Sequence, residues 1–200
     1  MIVLCRHAIT SYNAESRFLS RTNVSLSNEG RTQARRLRSE LSSFDVARVF
    51  SSPALRCQET AELALPNHDI AIVQELREVD FGMWEGLTEA EVEEKWPGEL
   101  DSRRLAPASF RPPRGENFDD VARRLADFAD FLLRTQVHSA VISHRGTLGT
   151  LERLLLRLDV ADSSVAPLEP AEFHVIDRER LIMSAPSLAR PSASSKTSLQ

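Results

Sequence analysis

Lysine is almost missing from this chain: of 25 basic residues only Lys95 and Lys196 are lysines, and the rest are arginines. That bias fits a genome-wide preference and carries no function by itself. Cysteine is equally scarce. Cys5 and Cys57 form no CxxC pair, so neither a disulfide framework nor a thiol redox motif is indicated, and both read as reduced, buried small residues of a cytosolic protein. A reactive thiol at Cys57, beside Arg56, is the weaker reading. An excess of positive charge is lacking too. The formal net charge of −4 argues against a nucleic-acid or membrane-surface partner. No signal-peptide pattern precedes the first strand, no apolar run approaches the ~18 residues of a membrane span, and no internal repeat is found.

What is present is an ordinary globular composition, 42% hydrophobic and 27% charged over 200 residues. Met1-Ile2-Val3-Leu4-Cys5 has the length and β-branched content of a buried strand, and it stops at Arg6-His7. Residues 11–28 are polar without a period and read as a loop. A helix follows from Asn28 through Leu41, with its arginines on a solvated face. Val46–Phe50 reads as a second strand, with Ser52 as cap and Pro53 in the first position of the next helix. Ile70–Val73 is a third strand, 76–87 an acid-bearing loop, and Thr88 opens a short acidic helix. The proline-containing stretch 105–115 reads as a surface excursion. Asn117–Thr135 is the clearest helix, Ala140–Ser143 another strand, and Thr147–Leu158 a helix. Residues 172–183 resemble one or two edge strands. Alternating strands and helices predict an α/β three-layer sandwich with a mostly parallel central sheet. Residues 1–186 are expected to be one domain and 187–200, rich in Ser, Pro and Ala, a disordered tail.

Two strands end alike, in an apolar run followed by a histidine: His7 and His144. In an open parallel sheet the carboxyl ends of strands face the ligand crevice. Arg6 and Arg56 can reach the same crevice, and Glu78 follows another strand. Two imidazoles, two guanidiniums and a carboxyl group suit phosphoryl transfer. The arginines offer bidentate donors to phosphate oxygens, one imidazole can attack phosphorus while the other stabilises the equatorial oxygens, and the acid can protonate the leaving oxygen.

Arg6-His7-Ala8-Ile9-Thr10, with Asn13 and Arg17-Phe18, resembles the Arg-His-Gly signature of the histidine phosphatase superfamily, the phosphoglycerate mutase-like proteins. Leu26–Gly30 with Gln33-Ala34, Ser51–Ala61, Leu76–Gly86, Pro113–Asn117 and Val141–Gly146 fit the family's further blocks in order. The resemblance implies a phosphoglycerate mutase-like fold and a catalytic set. His7 would be the phosphorylated nucleophile. Arg6, Arg56 and His144 would hold the phosphoryl group, with Asn13 as an added donor. Glu78 would act as acid for the leaving group and then as base for water. No metal and no organic cofactor are implied, and the partner is a small-molecule phosphomonoester in the cytoplasm. Homodimerisation is left open.

Arg145 follows His144 where the acid-phosphatase branch carries an aspartate, and the longer mutase loop is absent, so hydrolysis is expected ahead of mutase chemistry. A cofactor-dependent phosphomutase is one alternative. Another is a phosphate-ligand binding protein with reduced turnover, because Ala8 replaces the family's glycine and its methyl group could narrow the pocket. Ser20 replaces a second glycine. Trp84 and Phe81 read as loop packing, Glu85 as a solvated acid, and Asp80 as a lesser candidate for the acid role. Residues 94–115 are expected to cover the pocket, where Arg103, Arg104, Arg111 and Arg114 suit either an anionic substrate or solvent.

Overall fold

The computed structural model describes residues 1–177. Five strands, β1 (Ile2–Arg6), β2 (Arg48–Ser51), β3 (Ile70–Ile72), β4 (Ser139–Ser143) and β5 (Phe173–Ile176), form one sheet in the order β3-β2-β4-β1-β5. β1, β2, β3 and β4 pair in parallel, and β5 closes the edge antiparallel to β1. Both faces are covered, which is why the strands read as continuous apolar runs. Ile2, Leu4 and Val141 point to one face, against Val121, Leu125 and Leu132 of α6 (Phe118–Arg134) and Leu148 and Leu151 of α7 (Arg145–Leu156). Val3, Cys5, Val49 and Ile142 point to the other, against Leu37 and Leu41 of α2 (Asn28–Leu41) and Cys57 and Ala61 of α3 (Leu55–Ala64). Each fully buried Leu or Ile contributes roughly 1.5–3 kcal/mol, and together they make the three layers that alternating elements predict.

The departures are local. The polar stretch after His7 holds one helical turn, α1 (Ser11–Ala14), closed by a reciprocal cap between Thr10 and Asn13. Such a turn needs no apolar stripe, so periodicity does not reveal it. A second short helix, α5 (Glu99–Leu105), lies in the excursion after α4 (Glu89–Lys95) and buries only Leu100. The acid-bearing loop is braced by two 3₁₀ turns, Gln74–Leu76 and Gly82–Trp84. β2 begins two residues later than expected, and α3 starts at Leu55 with no side-chain cap, because its N-cap position is Ala54, which carries no side-chain acceptor. The expected extension of the edge strand to Met183, the domain end at 186 and the tail 187–200 lie outside the described residues. No helix among the described residues is long and apolar enough to cross a membrane.

β1 and β4 are neighbours with Arg6 opposite Ser143, so His7 and His144 leave the sheet side by side.

Candidate active site

The His7 amide donates to the Ser143 carbonyl at 2.9 Å, and the two imidazole rings stand edge to face with centroids 5.2 Å apart. Arg6, His7, Asn13 and Glu78 line a cavity of about 1120 Å³. His144 and Arg56 are fully buried against them, one layer in from the cavity wall. All six candidate residues are therefore gathered at one strand edge. Four face the cavity, and two stand behind it.

The histidines are neutral and differ in tautomer. Burial, then the charge of Arg56, push the His7 imidazole well below its usual pKa, while its bond to the Ala8 carbonyl opposes them more weakly. His7 Nδ1 lies 2.8 Å from that carbonyl. A carbonyl only accepts, so Nδ1 carries the proton and Nε2 the lone pair. His144 is also held well below its usual value by burial and then Arg56. Its Nδ1 lies 3.3 Å from Arg56 Nη2 and its Nε2 2.8 Å from Ser52 Oγ. A guanidinium only donates, so here the proton sits on Nε2 and points at Ser52.

The arginines are anchored but not saturated. Arg56 donates to the carbonyls of Ser20 (3.0 Å) and Thr22 (3.1 Å), and Arg6 to that of Leu168 (2.9 Å). In both, Nε–H is buried without a hydrogen-bond partner among the described residues. Two orphaned cationic donors beside a neutral imidazole are costly unless an anion completes them.

Glu78 sits over the start of α7. Its Oε1 accepts from the amides of Val79 and Thr147, each at 3.0 Å, and from Thr147 Oγ1 at 3.2 Å. Its Oε2 has a single contact, 3.4 Å from the Gly146 amide. One oxygen is tethered and the other is available. A Cβ at 146 would stand 2.7 Å from Val79 Cγ2 and 3.0 Å from Glu78 Oε1, so any larger residue there must displace the Val79 or Glu78 side chain. Arg124 ties the loop from behind, donating to the Glu78 carbonyl and to the Glu116 carboxylate. Asn13 spends Oδ1 on the Thr10 amide and hydroxyl, which leaves its NH₂ to serve a ligand.

Several expectations need correction. Ser52 is a partner of His144 and not the side-chain cap of α3. Glu85 is not a solvated acid: its carboxylate accepts from the amides of Ser20 and Thr22, fixing the loop whose carbonyls hold Arg56. Asp80 pairs with Arg21 and does not line the cavity. The Ala8 methyl packs with Leu26 and Ala34, its φ is not positive, and it forms no part of the cavity wall, so it does not narrow the pocket. Ser20 likewise has no positive φ, and its hydroxyl bonds Glu85. Trp84 is fully buried, as loop packing, whereas Phe81 also lines the cavity. Burial pushes both thiols up to about 12, so neither is poised to react. No group of three metal-ligating side chains occurs among the described residues.

Known proteins resemble this chain in sequence and in fold. A bifunctional protein of Mycobacterium tuberculosis is 36% identical over 183 residues, covering 82% of this chain and 49% of its own length. The chain thus spans about half the length of the first curated relatives it matches. Glucosyl-3-phosphoglycerate phosphatase of the same organism is 30% identical over 177 residues, covering 80% of this chain and 77% of that protein. The solved structure of the mycobacterial glucosyl-3-phosphoglycerate phosphatase complexed with VO3 superimposes with a TM-score of 0.80 at 28% identity, covering 86% of this chain and 90% of that one. The model of the histidine phosphatase superfamily (branch 1) matches residues 2–181, and the chain belongs to that family.

Proposed function

We propose that the chain is a phosphomonoesterase that acts on a small phosphorylated metabolite through a phosphohistidine at His7. The observation that carries this reading is the pair of buried, unpartnered Nε–H donors of Arg6 and Arg56 beside a neutral imidazole whose lone pair is on Nε2. The two guanidiniums bind the phosphoryl oxygens, and the Asn13 NH₂ adds a donor. His7 Nε2 attacks phosphorus; the N–P bond forms as the P–O bond to the alcohol breaks. Glu78 Oε2 delivers a proton to that departing oxygen. The resulting carboxylate takes a proton from water, whose oxygen attacks phosphorus. The N–P bond then breaks, inorganic phosphate leaves, and His7 and Glu78 return to their starting states. His144 turns its Nε2–H from Ser52 to the equatorial oxygens as charge spreads over them.

All the parts are needed. Phosphomonoester hydrolysis asks for up to ~10²¹-fold acceleration, on the order of 29 kcal/mol, and positioning supplies roughly 7–11 kcal/mol. The remainder falls to charge stabilisation and proton transfer. The reaction requires no metal, so a chelator should leave activity unchanged. The setting is the cytoplasm, without nucleic-acid or membrane partners. The test is to trap ³²P on the protein in an acid-labile, alkali-stable linkage during turnover of p-nitrophenyl phosphate. Absence of label on the wild type, or undiminished label on His7→Ala, defeats the reading. Phosphate moving within a substrate and not to water would mark a mutase.

A further inference from the structure

Beyond the phosphoryl-holding groups, the cavity is walled by five further arginines: Arg17, Arg103, Arg104, Arg145 and Arg153. Four are already occupied. Arg17 pairs with Glu15 and Glu91, and Arg104 with Glu89 and Asp101. Arg145 lies 3.6 Å from Glu169, and Arg153 donates to the carbonyls of Asp162 and Gly149. Arg103 has no carboxylate or carbonyl partner among the described residues, and its Nη1 is buried with nothing to donate to.

The surroundings of Arg103 explain how such a cation is tolerated. Its guanidinium carbon lies 5.0 Å from the centre of the Phe81 ring, 5.6 Å from Phe18 and 5.7 Å from Trp84. Phe18 comes from one segment and Phe81 and Trp84 from another, and the Phe18 ring touches both, with centroids 5.0 and 5.2 Å apart. Aromatic faces hold a cation by their quadrupole but accept none of its in-plane N–H bonds. The stack therefore positions the charge and leaves the donor fork unserved. Burial lowers the Arg103 pKa, and the carboxylates opposing that effect are Glu78 first and Glu89 second. Arg103 lines the same cavity as Glu78 and lies over Phe81, three residues beyond Glu78 in the acid-bearing loop, which puts it beside the proposed exit of the alcohol.

We infer that Arg103 reads a second anionic group on the leaving side of the substrate, so that preferred substrates are phosphomonoesters whose alcohol carries a carboxylate or a second phosphate. This rests on the phosphatase reading above. The planar fork matches either group bidentately, and the cavity, at about 1120 Å³, has room well beyond a single phosphoryl group.

The test uses three substrates with one carbon skeleton. Glycerol 3-phosphate has a neutral alcohol, 3-phosphoglycerate adds a carboxylate, and glycerol 1,3-bisphosphate adds a phosphate. The wild-type protein is expected to favour one or both anionic compounds by about 10- to 100-fold in kcat/KM over glycerol 3-phosphate, the scale of one charge-assisted hydrogen-bonded contact. The compound preferred identifies which anion is read. In Arg103→Met that ratio collapses towards one, and Arg103→Lys, which keeps the cation, restores part of it. A purely structural pin would lower all three activities alike and leave the ratio at its wild-type value, which overturns the inference. So does a wild type without preference, a comparison that stands even if the Met variant does not fold. Failure to turn over p-nitrophenyl phosphate would sink the phosphatase reading itself, and the inference with it.

Discussion

Replacing Glu78 by Gln separates proton transfer from everything else this residue does. The amide keeps an oxygen in place of Oε1, which can go on accepting from the Val79 and Thr147 amides and from Thr147 Oγ1. The loop therefore stays seated on α7, and what is lost is the transferable proton at Oε2. General acid catalysis contributes typically 10²–10⁴-fold, about 2.7–5.4 kcal/mol. That loss should fall on substrates whose alkoxide leaves badly. With an alkyl phosphate, phosphorylation of His7 slows by the full factor. With p-nitrophenyl phosphate the leaving oxygen needs little protonation, so the first step survives within about tenfold. The second step still needs a base for water, and the variant has none. Rapid mixing with p-nitrophenyl phosphate should therefore give a burst of about one nitrophenolate per protein, followed by a slow steady state, with phosphoprotein accumulating above the wild-type level. Equal slowing of the first step for alkyl and aryl substrates, or no accumulation of label, would show that Glu78 is not the proton carrier.

Gly146→Ala places a methyl group against Val79 and Glu78 Oε1; it should cost about 1–3 kcal/mol in denaturant unfolding and depress alkyl-phosphate turnover more than the aryl burst, and an unchanged ratio of the two would refute the crowding. Both active-site imidazoles are held well below the usual 6.5, so between pH 6.5 and 5 the unfolded chain binds protons that the native one does not. Stability is full above about pH 6.5 and falls on acidification, by up to about 1.4 kcal/mol per pH unit for each histidine. Urea titrations at pH 7.5, 6.0 and 5.0 measure this, and His144→Gln should flatten the slope; a stability that holds constant or rises towards pH 5 contradicts it. Ser52→Ala removes the nearer partner of the His144 Nε2–H, leaving the weaker Cys57 Sγ at 3.5 Å, and should cost about 0.5–1.5 kcal/mol. If His144 turns that proton to a bound anion, inorganic phosphate raises the melting temperature of the variant more than that of the wild type; equal shifts count against the turn.

Much of the candidate site's placement is readable in the sequence, because its principal residues stand directly at strand ends. An apolar run that stops at Arg6-His7 and another that stops at Ser143-His144 predict neighbouring strands only in a parallel sheet, and the pairing of β1 with β4 realises that. α6 was equally clear, since Val121, Leu125, Phe128 and Leu132 recur at helical spacing and all are buried. What stayed hidden depends on contacts between distant segments. Ser52 looks like a cap because Ser-Pro opens helices, yet its hydroxyl reaches a residue 92 positions away. Glu85 looks solvated, because nothing local shows that residues 18–22 fold over it. The aromatic stack under Arg103 draws on Phe18, Phe81 and Trp84, none of which lies near residue 103 in the chain.

The two histidines also show why equivalent positions acquire different chemistry. Each follows a buried strand, each is neutral, and Arg56 depresses both. They part at a single contact. The Ala8 carbonyl takes the Nδ1 proton of His7 and so leaves a lone pair on Nε2, whereas an Arg56 donor occupies Nδ1 of His144 and forces the proton onto Nε2. A lone pair can attack phosphorus; an N–H can only stabilise oxygens. Exchanging the roles would require His7 to lose its carbonyl and His144 to lose its guanidinium. The first partner is backbone that follows His7 directly. The second also holds the loop at Ser20 and Thr22. The proposed division of labour is therefore set by the backbone on one side and by Arg56 on the other.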